Sequence, residues 1–174
     1  MSTAVVPSTD FAVGFREMFL QEYATKELPV TKSVIDAVPE ARKEYRPDPK
    51  ARSASQLAWH LASSEVWFLS GIADGKFGDP TAAEKDAPKT IAEISQWYEK
   101  NAKKEVERLH KLTPQQLAAP IDFYGVFNMP AFAYLQFLTK HSCHHRGQLA
   151  SYLRPMGSKC PDIYGGSADF PWKG

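Results

Sequence analysis

The chain has 174 residues, 43% of them hydrophobic and 24% charged. That length suits one domain, spanning 1–174, which buries roughly 70% of its unfolded surface, and the composition excludes disordered, collagenous and coiled-coil classes. Twenty-one basic against 20 acidic side chains leave a formal charge of +1, so no field draws the protein to nucleic acid or an anionic membrane, and neither is expected as a partner.

The chain divides into four long helical patterns separated by Pro/Gly-rich connections, with no internal repeat and no linker. The short N-terminal stretch ahead of the first pattern is expected to be disordered. The first pattern begins near Asp10 and sets Phe11, Phe15, Met18 and Phe19 on one side, with a continuation through Val34, Ile35 and Val38. Pro29 must kink or split it, because proline removes a donor and clashes with the preceding turn. After the connection RPDPKAR, Ser53 and Gln56 form an S-x-x-Q capping box, followed by an apolar stripe through Leu57, Leu61, Phe68 and Ile72 that stops between Gly71 and Gly75. Thr90 and Glu93 cap the third pattern, which runs Ile91, Ile94, Tyr98, Ala102, Val106 and Leu109 at spacings of three and four. The fourth is expected to start after Asn128, with Pro130 in its first turn, and to end near Arg154 before Pro155 and Gly157. The tail to Gly174 reads as ordered loop. The expected fold is all-α, a four-helix bundle.

The most apolar stretch, residues 118 to 138, is broken by Pro120, Asp122, Asn128, Pro130 and Gln136, short of the roughly 18 unbroken apolar residues of a membrane span. Two cysteines, Cys143 and Cys160, are too few for a disulfide scaffold, and MSTAVVPSTD lacks the basic and apolar regions of an export signal. A cytoplasmic location is expected.

Five histidines are placed unusually: His60 in the second pattern, His110 near the end of the third, and His141, His144 and His145 in the fourth. At about 100° per residue, His141 and His145 lie one turn apart on one face, together with Tyr134, Leu138, Gln148 and Tyr152, in the middle of the expected inward stripe. His144 falls at the edge of that stripe, three residues from His141, and rivals His145 as second ligand. His60 projects among Leu57, Ser64, Trp67 and Gly71, and the small Ser64 and Gly71 would leave room beside the imidazole for a pocket. Three inward histidines from two helices suit one divalent metal held facially, with imidazole fitting Zn, Ni, Cu or Fe and a position left open. Each imidazole left without metal would need a hydrogen-bond partner of its own. Affinity for metal is expected to fall as pH drops through the ordinary imidazole range.

Other arrangements are weaker. HSCHHRGQ is not H-E-x-x-H and places no general-base glutamate beside the ligands. Cys143 projects to the far side of its helix, and Cys160 lies beyond the helix stop. His110 is explained as a cation at a helix C-terminus. Trp59, Trp67, Trp97 and Trp172 have no basic stripe beside them, which argues for core, rim or dimer-interface roles over base stacking.

The segments RSASQLAWHLASSEVWFL, HSCHHRGQLASYLRPMG and PDIYGGSADF, in that order, resemble the DinB-like family. The resemblance covers most of residues 10 to 170, and its specific mark is one histidine in the second helix with H-x-x-x-H leading into RGQ in the fourth. It implies a four-helix bundle with one long crossover, a homodimer, and a nickel or zinc ion held by His60, His141 and His145. Members of that family resemble thiol-dependent S-transferases or isomerases, or metal-dependent hydrolases. Two enzymatic readings follow, one activating water and one activating a thiol, with Gln148 and Ser64 as candidates to orient the bound nucleophile. The alternative is a non-enzymatic metal or small-molecule binding module.

Overall fold

The structure, a computed structural model, describes residues 8–172; the N-terminal stretch expected to be disordered lies outside them. Helix α1 (Thr9–Glu22) begins where Ser8 accepts a hydrogen bond from the Phe11 amide, and it runs through a π-helical turn (Tyr23–Glu27) into α2 (Leu28–Asp36). That turn is how the chain absorbs Pro29: the Leu28 amide bonds five residues back to the Tyr23 carbonyl just ahead of the missing donor, so the helix is widened rather than broken. The inward face of α1 is rotated from the expected one. Ala12, Arg16, Phe19 and Leu20 are buried, whereas Phe11 and Met18 are 55% and 62% exposed, because the stem of Arg16 enters the core to reach the Leu112 carbonyl at 2.7 Å.

Helix α3 (Ala54–Asp74) opens on the Ser53/Gln56 capping box and closes on Gly75, whose φ of 68° is the left-handed value a helix C-terminus favours in glycine. Being central, it is buried far beyond the Leu57–Leu61–Phe68–Ile72 stripe, and even Glu65 is fully buried. Gly71 does not open a pocket beside His60; a Cβ there would overlap the Phe77 ring, which packs directly on the glycine. Gly71→Ala is therefore expected to lower stability by roughly 1–3 kcal/mol through overpacking, outweighing the roughly 1 kcal/mol that alanine gains in helix propensity. Urea denaturation reads this, and a raised midpoint would mean that Phe77 swings aside freely.

Helix α4 (Ile91–His110) opens on the Thr90/Glu93 capping box and buries Ile91, Ile94, Tyr98, Ala102 and Leu109. Trp59 packs on Trp97 at one end, and Asp74 pairs with Arg108 at the other, so α3 and α4 run parallel. Two parallel neighbours need a connection that returns along the bundle, and residues 75–90 supply it as the one long crossover. Helix α6 (Ala133–Leu153) lies antiparallel to α3, with His145 against His60 and Phe137 against Phe68. It runs parallel to α2, which the Arg146–Glu27 pair and the Ser158–Ala37 hydrogen bond fasten at two levels. The result is an all-α bundle of up-down-down-up topology. No helix among the described residues is long and apolar enough to cross a membrane.

The connection from α4 to α6 differs from expectation. Thr113, Pro114 and Gln116 form a third capping box that starts a short helix α5 (Pro114–Ala118). Residues 120–130 then form an antiparallel hairpin, β1 (Pro120–Phe123) and β2 (Phe127–Pro130), with Phe123 opposite Phe127 and Pro120 opposite Pro130. Pro130 thus ends a strand and does not start the helix, which begins three residues later. Tyr124 and Gly125 turn the chain at positive φ, and the Asp122 carboxylate accepts the Gly125 amide. The hairpin folds onto the bundle because its aromatic rings find partners there: Phe123 stacks on Phe127 at 4.8 Å and meets Phe77, Tyr134 and Phe137.

Candidate metal centre

The antiparallel approach of α3 and α6 brings His60, His141 and His145 together. One nitrogen from each lies within 4.8 Å of the other two. His60 Nε2 and His145 Nε2 are 3.2 Å apart, and the His141 ring centroid is 4.4 Å from that of His145 and 5.4 Å from that of His60. The rival position, His144, is exposed; its ring touches His145 but stands outside the trio.

The deepest line of α6 is Leu138, Ser142, Arg146 and Leu149, all buried. His141 and His145 therefore occupy not the middle of the inward stripe but its flank, half-buried and turned to α3. That position leaves them accessible. A cleft of about 820 Å³ lies between α3, the crossover and the hairpin, with His60 and His141 on its floor and Trp59, Trp67, Phe68, Phe123 and Phe137 among its walls. The crossover is held over it by indole donors, Trp59 Nε1 to the Ala83 carbonyl at 2.9 Å and Trp67 Nε1 to the Gly78 carbonyl at 3.0 Å.

Ser64 and Gln148 each contact an imidazole, Ser64 from the cleft lining and Gln148 from outside it. Ser64 Oγ is 3.4 Å from His60 Nδ1, and His145 Nδ1 donates to Gln148 Oε1 at 3.2 Å. With Nδ1 donating to Gln148, His145 turns its Nε2 lone pair to His60 Nε2, a spacing that either an imidazole N–H or a cation between the two nitrogens satisfies. His141 leaves Nδ1 buried with no hydrogen-bond partner, at about 1–3 kcal/mol for an unsatisfied polar group. The donor set therefore fits a divalent metal, which three neutral imidazoles at this spacing could hold.

Burial keeps these rings neutral. Desolvation, then the charge of Arg52 and the neighbouring imidazoles, pushes His60 down to about 3; desolvation followed by His145, His144 and Arg52 pushes His141 down to about 4. His145 is lowered by burial, partly opposed by its bond to Gln148. Protons then compete for the ligand nitrogens only well below the ordinary imidazole value of 6.5. Metal is therefore expected to leave only as pH falls below the ordinary imidazole range, a lower threshold than the sequence implied. Stability of the metal-free fold moves in the same direction. Between 6.5 and about 4, the unfolded chain binds protons that the folded chain does not, so stability falls as pH drops through that window. Dialysis at stepped pH with elemental analysis, beside urea midpoints of chelator-treated protein, checks both; metal release centred near pH 6.5 would show imidazoles that titrate normally.

Next to the trio lies a buried polar network for which the sequence offers only one signal, charged residues at inward helical positions. Glu65 accepts from Tyr23 at 2.8 Å, Tyr98 at 2.5 Å and Thr31 at 3.1 Å, and burial holds its carboxyl above the usual range. Arg146, fully buried, donates to Thr31 at 3.0 Å and to the Glu27 carboxylate at 2.5 Å, and Tyr164 of the tail closes on both Arg146 and Glu27. Cys143 lies 3.0 Å from the Tyr164 hydroxyl, away from the trio, and His110 faces Glu17 at 3.6 Å.

The DinB family model matches residues 13–172. The chain is 27% identical over 130 residues to the Bacillus subtilis (strain 168) protein YjoA, covering 74% of this chain and 82% of that one. It is 31% identical over 111 residues to YrdA of the same organism, covering 63% and 65%. A crystal structure of a DinB-like protein from Bacillus cereus ATCC 10987 superposes with a TM-score of 0.73 at 30% identity, covering 85% of this chain and 97% of that one.

Proposed function

The chain belongs to the DinB family, and from that premise we propose that it is a metal-dependent enzyme, with nickel or zinc held by His60, His141 and His145, that activates water or a thiol against a small-molecule substrate. The observation that carries this reading is the convergence of three neutral imidazoles, two of which, His60 and His141, form the floor of an open, largely apolar cleft. An ion held there supplies Lewis acidity, lowering the pKa of a water or thiol at neutral pH without a strong protein base. The chain's own residues do the rest. Ser64 and Gln148 lie against Nδ1 of His60 and His145, where they orient the ligand rings, and Ser64, in the cleft lining, is also placed to orient a bound nucleophile. The aromatic walls exclude water and accept an apolar body. The open cleft above the imidazoles favours the enzymatic reading over a storage or sensing module, in which the ligands would be shielded from solvent. The working form is proposed to be a cytoplasmic homodimer.

Elemental analysis of protein purified without added metal or chelator comes first. Near-stoichiometric nickel or zinc supports the assignment, and its absence together with failure to take up either ion overturns it. The loaded protein is then assayed with low-molecular-weight thiols against model electrophiles beside an ester panel. Thiol-dependent turnover identifies an S-transferase, and thiol-independent ester cleavage a hydrolase. A metal-bound protein inert in both panels is the binding module.

A further inference from the structure

The cleft carries a feature that the imidazole cluster does not use. Among its described lining residues there is no aspartate, glutamate or lysine; Arg52 alone bears a full charge. Most arginines of the bundle have protein partners: Arg16 pairs with Glu17, Arg108 with Asp74 and Glu105, Arg146 with Glu27, and Arg154 with Asp169. Arg52 has no carboxylate within salt-bridge distance among the described residues and makes no hydrogen bond to them.

Its place in the sequence is also against local preference. Arg52 directly precedes Ser53, the N-cap of α3, where the helix macrodipole is positive and a cation is disfavoured. Helix stability does not favour a guanidinium here, and the side chain is exposed to solvent in the cleft lining. A ligand gives it a role, because an anion entering the cleft beside the metal site meets, among the described side chains that line it, one formal positive charge, that of Arg52. The single guanidinium, with the α3 N-terminus already satisfied by the Ser53/Gln56 box, matches the two oxygens of one carboxylate better than a phosphate, whose sites gather several donors.

We propose that Arg52 reads a carboxylate on the substrate, so that the cleft takes a small carboxylic acid whose aromatic or apolar body lies against Trp59, Trp67, Phe68 and Phe137. This deepens the reading of the same site given above and rests on it for where the substrate reacts.

The test uses the protein as purified, its metal content measured, and titrates benzoate, its neutral counterpart benzamide, and phenyl phosphate, read by the fluorescence of the wall tryptophans and by calorimetry. Benzoate is expected to bind about tenfold more tightly than benzamide, ~1.4 kcal/mol, and Arg52→Met is expected to bring that ratio close to one without lowering metal content. A ratio near one in the wild type, a preference that survives in Arg52→Met, absent benzoate binding, or tighter binding of phenyl phosphate than of benzoate each overturns the assignment. Failure of the metal assignment is read separately, from elemental analysis alone, so the two cannot be confused.

Discussion

His141→Ala is expected to lower affinity for nickel and zinc by more than about 100-fold, beyond the 10–100-fold that loss of an outer hydrogen-bond partner costs. Three reasons single out this residue. Its ring touches both other imidazoles, it forms the cleft floor with His60, and its Nδ1 is the buried nitrogen without a hydrogen-bond partner. The alanine variant keeps the hydrophobic core, since Leu138, Ser142 and Leu149 and not His141 form the deepest line of α6. Loss of metal should therefore come with an unchanged circular dichroism spectrum. Gln148→Ala, which frees His145 Nδ1, should fall within the smaller range. His144→Ala should leave metal content untouched, because that side chain is exposed and outside the trio. Calorimetry with each metal ion, and elemental analysis of each variant, read all three; a His144→Ala protein purified without metal would mean that the ligand set is wrong.

The largest effect on stability is expected at Arg146. Its guanidinium is buried and bonded to the Glu27 carboxylate and to Thr31, which in turn serves Glu65. Arg146→Met fits the volume but leaves the largely buried Glu27 carboxylate without its counter-charge, with the neutral Tyr164 hydroxyl as a remaining donor. Removing one member of a buried pair costs about 3–5 kcal/mol, or roughly 6–20 °C in melting temperature for a chain of this size. Removing both members costs less, because no uncompensated charge remains. The double variant Arg146→Met, Glu27→Leu is thus expected to recover part of the loss. Urea unfolding of the single and double variants forms the cycle; additive losses would show that the two groups do not depend on each other. The neighbouring His145 makes metal binding a useful second reading, as Arg146 fixes the rotation of α6 about its axis through α2.

Much of this could be read from the chain alone. Two capping boxes, Ser53/Gln56 and Thr90/Glu93, begin helices at the expected residues, and Gly75 ends one, because caps are local: each is decided by the backbone amides of a single turn. The spacing of His141 and His145 needed only the pitch of a helix. The hairpin at residues 120–130 was not legible, since its Pro-rich strands have little intrinsic preference and are held by rings contributed from α6 and the crossover. The inward rotation of α1 escaped for a similar reason, as an arginine replaced expected apolar side chains at a buried position.

The starts of α3 and α4, the end of α3 at Gly75 and the presence of histidines at one-turn spacing are therefore properties of the sequence, fixed by interactions within about four residues. Which histidine completes the trio, how far the rings stand from the core, what opens above them and which charges are buried beside them were decided by packing. Those outcomes depend on the rotation of one helix against another, and that rotation is set by contacts such as Arg146 with Glu27, whose partners lie 119 residues apart.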